Sequence, residues 1–315
     1  MLDLSIIIVS WNTREVLREC LRSVFAGLHG LTAEVIVVDN ASSDGSAQMV
    51  RQCFGNATLI ANETNRGFAA ANNQALRIAN GKYVLLLNSD TLVLGDVFAR
   101  SIRYMEGKAD VGVMGCRVLN PDRSVQRTCL RYPSVLNLFL SATGLARLRW
   151  PRFCGREHIL DWSRDGERDV DVVSGCYLLV RASAIRAVGI MDESFFFCGE
   201  ESDWCRRFAA AGWRCRFAPV GDIVHYGNVS GSRLRWKRDA LLTDGVLRFI
   251  RKHDGALSAN LGFSLIMLFW VTRVVVWGIL SLMPHSRADS ARYRARHFFS
   301  LLQNQLAFRR VPQAE

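Results

Sequence analysis

Short apolar runs alternate with helix-length segments through residues 1–90, and this alternation is the strongest constraint on the fold. The runs have no polar face, which predicts strands buried on both sides, and the segments between them have helical length. The runs cover residues 4–9, 34–38, 58–61 and 83–87, and the helical segments cover 13–25, 43–54 and 68–80. We therefore expect an α/β fold with a mostly parallel, Rossmann-like central sheet flanked by helices.

Polar residues follow each of the four predicted strands. Ligands of such sheets bind in the crevice beyond the carboxyl ends of the strands. One polar loop alone would mean little, but four at one edge favour a binding site. The residues in question include Ser10, Asn12, Asp39, Asp44, Arg66, Gly67, Asn88, Ser89 and Asp90.

Two carboxylates stand at predicted strand ends. Asp90 can hold Mg²⁺ or Mn²⁺, because such ions take one or two carboxylates and leave their other positions to water and phosphates. It can equally cap a helix. Asp39 can accept a hydrogen bond from a base imide or a ribose hydroxyl, or it can simply precede the turn that starts the next helix.

A second acidic group, Glu200, Glu201 and Asp203, begins a predicted helix over 200–211. Acids in a first helical turn contribute about 0.3–1 kcal/mol each, which explains one or two of them. Two adjacent carboxylates after an aromatic run also suit a general base, since apolar surroundings raise a carboxyl pKa. His225 ends another predicted strand and is either structural, a metal ligand or a donor to a diphosphate. Upstream, 172–180 predicts one strand and 181–188 a short helix.

The last part of the chain differs from the rest in charge. Residues 231–315 carry 14 Lys and Arg against 5 Asp and Glu, whereas residues 1–230 carry 26 against 24. Residues 257–283 are largely apolar and could span a bilayer core of about 30 Å. Arg273 near their centre costs about 2.5–3.5 kcal/mol on insertion, so the segment is expected to span, lie in the interface or form a re-entrant hairpin. Its basic flanks, Arg233 and Arg287 among them, suit an anionic membrane surface.

Several strings in this chain, taken in order, are similar to those of one enzyme family. The chain resembles glycosyltransferase family 2 enzymes with the GT-A fold, of the branch that includes bacterial rhamnosyltransferases, over roughly residues 4–230. The strings are IVSWN at 8–12, VDNASSDGS at 38–46, NRGFAAANN at 65–73, LNSDT at 87–91, SGCYLLVR at 174–181, MDESFF at 191–196 and GEESD at 199–203.

The resemblance implies inverting sugar transfer from a nucleotide diphosphate donor with Mg²⁺ or Mn²⁺. Asp39 would then read the pyrimidine base, and the nucleotide sugar would meet Ser10, Asn12, Asp44, Arg66, Gly67, Asn88 and Ser89. Asp90 matches the last acid of the DXD-type metal motif, in which Asn88 stands where an acid is common, and His225 matches a histidine after the last core strand.

The same resemblance implies a catalytic base in Glu200-Glu201, with Glu201 where an aspartate is common, and acceptor contacts at Asp203 and Trp204. The expected donor is dTDP-rhamnose, from which L-rhamnose would be transferred. The expected acceptor is a cell-envelope glycan or a lipid-linked molecule. A polyprenyl diphosphate acceptor would suit both the arginine-rich region 117–168 and the tail. We expect a GT-A catalytic domain over 1–230, in which 1–115 binds the nucleotide sugar and 116–230 holds the acceptor and the base. A basic tail follows over 231–315, with its membrane-associating segment at 257–283.

The expected location is the cytoplasmic face of the bacterial inner membrane, peripheral or monotopic. Nine cysteines without a CxxC pair indicate a reducing compartment. Residues 1–9 lack a basic n-region and are expected to form a strand rather than a secretory signal.

Other functional classes of protein explain fewer of these sequence features. A dinucleotide-dependent oxidoreductase would need GxGxxG after the first strand, and a nucleotidyltransferase would need an early Gly-rich basic turn. A nucleic-acid-binding protein would explain the basic tail but not its apolar segment, so no nucleic-acid partner is expected. The main alternative is a non-catalytic, membrane-associated scaffold on a degenerate transferase fold.

Overall fold

A computed structural model describes residues 2–148, 157–227, 235–282 and 288–308 of the chain. Arg233, Arg287 and residues 149–156 of the arginine-rich region lie outside these ranges. The chain forms two units, the first made of Met1–Tyr132 and Asp161–Ser230, the second of Pro133–Leu160 and Gly231–Glu315.

The first unit is built on a sheet that is covered by helices. Its strands are β1 (Leu2–Ser10), β2 (Ala33–Asp39), β3 (Ala57–Ala61), β4 (Gly81–Leu87), β5 (Thr91–Val93), β6 (Val111–Leu119), β7 (Cys129–Leu130), β8 (Arg168–Asp169), β9 (Val172–Val173), β10 (Tyr177–Arg181) and β11 (Arg214–His225). Its helices are α1 (Arg14–Ala26), α2 (Ser46–Cys53), α3 (Phe68–Leu76), α4 (Val97–Glu106), α6 (Ala182–Val188) and α7 (Glu200–Ala210).

The predicted α/β architecture is confirmed, with a mixed sheet. Among the described residues the strand order is β3-β2-β1-β4-β10-β6-β11-β5, with β8 on β11, while β7 and β9 form a separate pair. The pairs among β1 to β4 and between β6 and β11 are parallel, whereas β10 runs antiparallel to β4 and β6. Apolar residues of β1, β2 and β4 are buried on both faces, which is why these strands could be recognised.

The predicted single strand over 172–180 is wrong. The structure has two short strands there, β9 and β10, separated by the turn 174–176. β9 pairs with β7, and β10 enters the main sheet beside β4. Ser174 and Gly175 lie in the turn that separates the two strands, and this break was overlooked because apolar residues flank it on both sides.

The second unit is helical where it is described. It contains α5 (Val135–Thr143), a 3₁₀ turn (Leu145–Arg147), α8 (Arg235–Leu282) and α9 (Ala288–Phe308). Gly255 interrupts α8 with a φ of 89° and a ψ of 170°. From there the helix continues without a break to Leu282, so a re-entrant hairpin inside 257–282 is excluded. By length and composition alone, α8 could cross a membrane.

Candidate functional site

The carboxyl ends of β1, β2 and β4 lie side by side, because β1 pairs in parallel with both neighbours. Ser10 at the end of β1 pairs with Asp39 at the end of β2. Ser10 Oγ lies 2.8 Å from Thr13 Oγ1, which donates to Ser89 Oγ at 3.1 Å. This buried chain of hydroxyls fixes the strand ends, so Ser10 and Ser89 position the site from within the protein.

Asp39 presents an unused acceptor at this edge. Its side chain is buried, and Oδ2 accepts a hydrogen bond from the Ser42 N–H at 3.0 Å. Oδ1 is also buried but has no hydrogen-bond partner among the described residues. Because buried polar atoms are nearly always paired, this oxygen suits an N–H or O–H of a ligand.

Asn12 and Asp44 hold the β2–α2 loop. Asn12 Oδ1 accepts from the Ser43 N–H at 2.8 Å. Asp44 accepts from the Ser46 N–H and hydroxyl with one oxygen and from the Arg14 N–H with the other. Burial by itself would raise the pKa of Asp44, but these hydrogen bonds outweigh it and lower the pKa. The structure thus gives both residues a role in positioning the loop, and their direct contact with a nucleotide sugar stays a prediction.

Arg66 and Gly67 form the entrance to α3. The Arg66 N–H donates to Asn40 Oδ1 at 3.0 Å, while the residue itself is exposed. Gly67 has a φ of 81°, and a Cβ there would lie 2.5 Å from the Phe196 carbonyl oxygen. Only glycine permits this close approach, which joins α3 to the loop before α7.

Asp90 and His225 face each other at adjacent strand ends. Asp90 directly precedes β5, and His225 lies opposite Thr91 in the antiparallel β5–β11 pair. Asp90 Oδ1 lies 3.2 Å from His225 Nε2, and Asn88 Nδ2 lies 3.1 Å from the same nitrogen. Because a strand follows Asp90, the helix-cap alternative is wrong.

Gln126 orients the imidazole, a role that no sequence pattern indicated. His225 Nδ1 lies 2.7 Å from Gln126 Oε1, and Gln126 Nε2 donates to Asn120 Oδ1 at 2.8 Å. An amide oxygen only accepts, so Nδ1 carries a proton and Nε2, which lies toward Asp90, is the ring nitrogen that can offer a lone pair to a ligand. A histidine whose Nδ1 is hydrogen-bonded in this way can bind a metal ion through Nε2.

Asp90 Oδ1 and His225 Nε2 fit one divalent cation. A carboxylate oxygen and an imidazole nitrogen, here 3.2 Å apart, are donors that such an ion would accept. Among the residues that the structure describes, no group of three or more His, Cys, Asp or Glu side chains could hold a metal. An ion here would therefore take its other ligands from water and phosphate oxygens.

Glu200 and Glu201 begin α7 in different surroundings. Glu200 is buried, and its Oε2 has no hydrogen-bond partner among the described residues. Burial, followed by the charge of Glu201, raises the pKa of Glu200 well above its ordinary range. Glu201 is half-buried, its Oε1 accepts from the Gly175 N–H at 2.9 Å, and burial raises its pKa too. Of the pair, Glu201 is the one with surface open to a ligand.

The Cys176 thiol lies near one acid from each of the two acidic groups, Glu201 and Asp90. Burial raises the pKa of this thiol to about 12, and the charges of Glu201 and Asp90 both contribute to the rise. The next residue, Tyr177, pairs with Leu87 at the end of β4. Because Glu201 bonds to Gly175, just before β10, and β10 pairs with the end of β4, Glu201 and Asp90 lie at the same edge of the sheet as Asp39.

Gly175 leaves room for the Glu201 carboxylate. A Cβ there would lie 2.6 Å from Glu201 Oε1 and 3.2 Å from the Phe68 ring. If Glu201 takes part in the reaction, Gly175→Ala would displace it, and we expect kcat to fall by about 10²-fold, the usual cost of moving a reacting group by about 1 Å. The melting temperature should change little, because a mobile carboxylate can move aside. Steady-state kinetics and a thermal melt measure both quantities.

Gly55→Ala is the matched control for this substitution, since a Cβ there would meet nothing within 4 Å. It should leave kcat unchanged. Full activity in Gly175→Ala would show that the position of Glu201 is unimportant.

Asp203 and Trp204 do not reach an acceptor in this structure. Both are fully buried. Asp203 accepts from Arg207 at 2.9 Å, and the Trp204 indole N–H donates to the Gly189 carbonyl at 2.9 Å. The Trp204 contact ties α7 to the segment before it. Because both side chains are fully buried, their predicted acceptor contacts are corrected to a structural role.

Comparison with known proteins places this architecture among sugar transferases. Residues 5–155 match the family model described as glycosyl transferase family 2. The chain is 28% identical over 214 residues to the N-acetylglucosaminyl-diphospho-decaprenol L-rhamnosyltransferase of Mycobacterium tuberculosis. The matched region covers 61% of this chain and 66% of that protein. The chain is 26% identical over 172 residues to the rhamnosyltransferase WbbL of Escherichia coli, covering 51% and 61% respectively. The matches thus span less than two thirds of both relatives.

A solved structure supports the fold. The mannosyltransferase PcManGT from Pyrobaculum calidifontis, in complex with GDP-Man and Mn²⁺, superimposes with a TM-score of 0.55 at 15% identity. The similarity covers 97% of this chain and 89% of that one.

Proposed function

This chain is a member of glycosyltransferase family 2 with the GT-A fold, and we propose that it moves a sugar from a nucleoside diphosphate donor with inversion at the anomeric carbon. The observation that carries the proposal is the arrangement of three acids that are remote in sequence. Asp39, Asp90 and Glu201 lie along one edge of the sheet, each in a different chemical setting.

The donor nucleotide would bind through Asp39. Its unpartnered Oδ1 suits the imide N–H that uracil and thymine both carry. The exposed Arg66 guanidinium is available for phosphate oxygens. Since two relatives are named rhamnosyltransferases, we take L-rhamnose from dTDP-rhamnose as the donor to test first.

Glu201 would act as the general base. Its raised pKa makes it a stronger base, and its open surface lets an acceptor hydroxyl approach. As that hydroxyl oxygen forms a bond to the anomeric carbon, its proton passes to Glu201 and the bond to the diphosphate oxygen breaks. One displacement of this kind inverts the configuration.

Asp90 and His225 would hold a divalent cation, Mn²⁺ or Mg²⁺, which supplies positive charge for the departing diphosphate when bound. The residues' own contribution is to present one carboxylate oxygen and one imidazole lone pair in a fixed orientation. Gln126 maintains that orientation through its bond to Nδ1, whereas the Asn88 amide, which lies 3.1 Å from Nε2, would have to release this nitrogen when an ion binds.

Gln126→Leu is expected to weaken the apparent Mn²⁺ affinity by about 10–100-fold, because the imidazole loses the partner that fixes its tautomer. The measurement is transfer rate against Mn²⁺ concentration. Gln52→Leu, an exposed change on α2, is the control and should leave the curve unchanged. Equal Mn²⁺ dependence in both variants would remove Gln126 from the site.

A lipid-linked glycan at the cytoplasmic face of the membrane is the proposed acceptor. The mycobacterial relative is named for a decaprenol-linked acceptor, and α8 is long and apolar enough to associate with a membrane. We propose peripheral or monotopic attachment through this helix.

Purified full-length protein tests the proposal when it is incubated with a panel of nucleotide sugars, with and without Mn²⁺ or Mg²⁺. We expect release of nucleoside diphosphate, fastest from dTDP-rhamnose. A protein that binds membranes but cleaves no donor would favour the scaffold alternative.

A further inference from the structure

A cavity of about 570 Å³ lies between α8 and α9 in the second unit. Its lining combines aromatic rings with four basic side chains, Arg238, Arg273, Arg294 and His297, and we call it the α8–α9 cavity. Arg273 is the residue that the sequence placed as a lone charge inside an apolar segment. In the structure it faces this cavity instead of standing isolated.

The charges in the cavity are unbalanced. Asp239 is the one acid among the lining residues, and it is already shared, with Arg238 at 3.4 Å and His297 at 3.1 Å. Among the described residues no carboxylate lies within ion-pair distance of Arg273 or Arg294. Three arginines therefore face a single aspartate, and the surplus positive charge favours an anion.

The arginines are held in positions that suit recognition. The Arg273 guanidinium lies 4.6 Å from the Phe269 ring centroid, and that of Arg294 lies 4.5 Å from the Trp277 ring centroid. Stacking fixes the plane of a guanidinium and leaves its N–H edge free for a bidentate acceptor. In addition, Arg238 Nε is buried and has no hydrogen-bond partner among the described residues. A buried donor of this kind requires an acceptor.

A phosphate group matches these donors best. Its tetrahedral oxygens accept forked bonds from several arginines at once, and its charge offsets the surplus. An apolar stripe, exposed at Leu261, Leu268, Val275 and Ile279, runs along α8. At about 100° per residue it lies between a third and nearly half a turn from Arg273, so a chain attached to the phosphate would have to pass around the helix to reach it.

We propose that the α8–α9 cavity binds a terminal phosphate or diphosphate group, carried either by a membrane lipid or by a soluble molecule. The site is specific, in contrast to the diffuse attraction of a basic tail to an anionic surface. The proposal does not depend on sugar transfer, because the cavity belongs wholly to the second unit.

Full-length protein in EDTA, which suppresses metal-dependent diphosphate binding elsewhere, is titrated with pyrophosphate and followed by thermal shift. The same protein is bound to phosphatidylcholine vesicles containing either phosphatidic acid or phosphatidylserine at equal surface potential. Arg273→Gln is compared with Arg296→Gln, which makes the same charge change at an exposed position of α9 outside the cavity. We expect Arg273→Gln to weaken phosphate binding about ten-fold or more and Arg296→Gln to leave it nearly unchanged.

Preference for phosphatidic acid that is lost in Arg273→Gln would identify a lipid source. Stabilisation by pyrophosphate without any lipid preference would identify a soluble source, and both outcomes support the site. Equal weakening in the two variants, with no response to pyrophosphate, would overturn it in favour of diffuse charge. Arg273→Gln removes a contact with Phe269 and could fail to fold for that reason. Arg238→Gln then provides the same comparison, since the Arg238 side chain makes no contact with an aromatic ring in the described structure.

Discussion

A Glu201→Gln variant should lose about 10²–10⁴-fold in kcat while retaining its fold. Glutamine keeps the shape of the side chain and can still accept the Gly175 N–H through its oxygen. It cannot take a proton from an acceptor hydroxyl, so the loss should fall on kcat and leave the KM for the donor nearly unchanged. Stopped assays of sugar transfer, together with a thermal melt, measure the two effects separately.

Glu200→Gln is the matched control, because it makes the same change one residue away. Burial holds the Glu200 carboxyl toward its neutral form, which glutamine resembles, so activity should be largely retained. If Glu200→Gln is the inactive variant and Glu201→Gln the active one, the base has been assigned to the wrong member of the pair.

The pH dependence of stability tests the burial of Glu200. The pKa of Glu200 is raised in the folded protein, so its stabilising contribution is complete below the unfolded-state pKa, about 4.3, and is lost as pH rises through the folded pKa. Glu200→Gln should remove that loss and become more stable than the wild type on the alkaline side. Urea unfolding at several pH values measures the difference in the free energy of unfolding.

Local pattern was enough to predict the first half of the fold. The alternation of strands and helices from β1 to β4 follows from successive short segments of sequence. The predicted bounds differ from the observed ones by a few residues. The largest difference is at the end of α3, which stops at Leu76 rather than Asn80. The insertion of β10 between β4 and β6 could not be predicted, because it depends on pairing between residues far apart in sequence.

The residues of the candidate site also differ in whether local sequence indicates them or only long-range contacts do. Asp39 and Asp90 could be proposed from sequence because each lies at the end of a buried strand, where local pattern is informative. Gln126 was missed, since nothing in its neighbourhood marks it and its importance comes from a contact with His225, which is remote in the chain. Asp203 and Trp204 were misassigned because helical spacing does not tell which face of α7 is buried, and tertiary packing decided that they face inward.

Asp90→Asn should reduce kcat/KM by about 10³-fold, which corresponds to about 4 kcal/mol of transition-state stabilisation. The substitution removes the negative charge that faces His225 Nε2 at 3.2 Å but keeps the size of the side chain. Loss of that charge should weaken Mn²⁺ binding, so the rate should no longer saturate at Mn²⁺ concentrations sufficient for the wild type. Wild-type protein in EDTA should show the same low rate.

Asp110→Asn separates this effect from a general change of charge, because Asp110 forms an exposed ion pair with Arg214 at 2.7 Å on the surface of the same unit. Such pairs contribute about 1 kcal/mol or less, so its kinetics and Mn²⁺ dependence should match the wild type. The expected pattern is therefore a steep loss at position 90, none at position 110 and nearly unchanged melting temperatures in both. Turnover by Asp90→Asn at the wild-type rate, with unaltered Mn²⁺ saturation, would mean that the diphosphate leaves without help from this carboxylate, and the metal role of Asp90 would have to be given up.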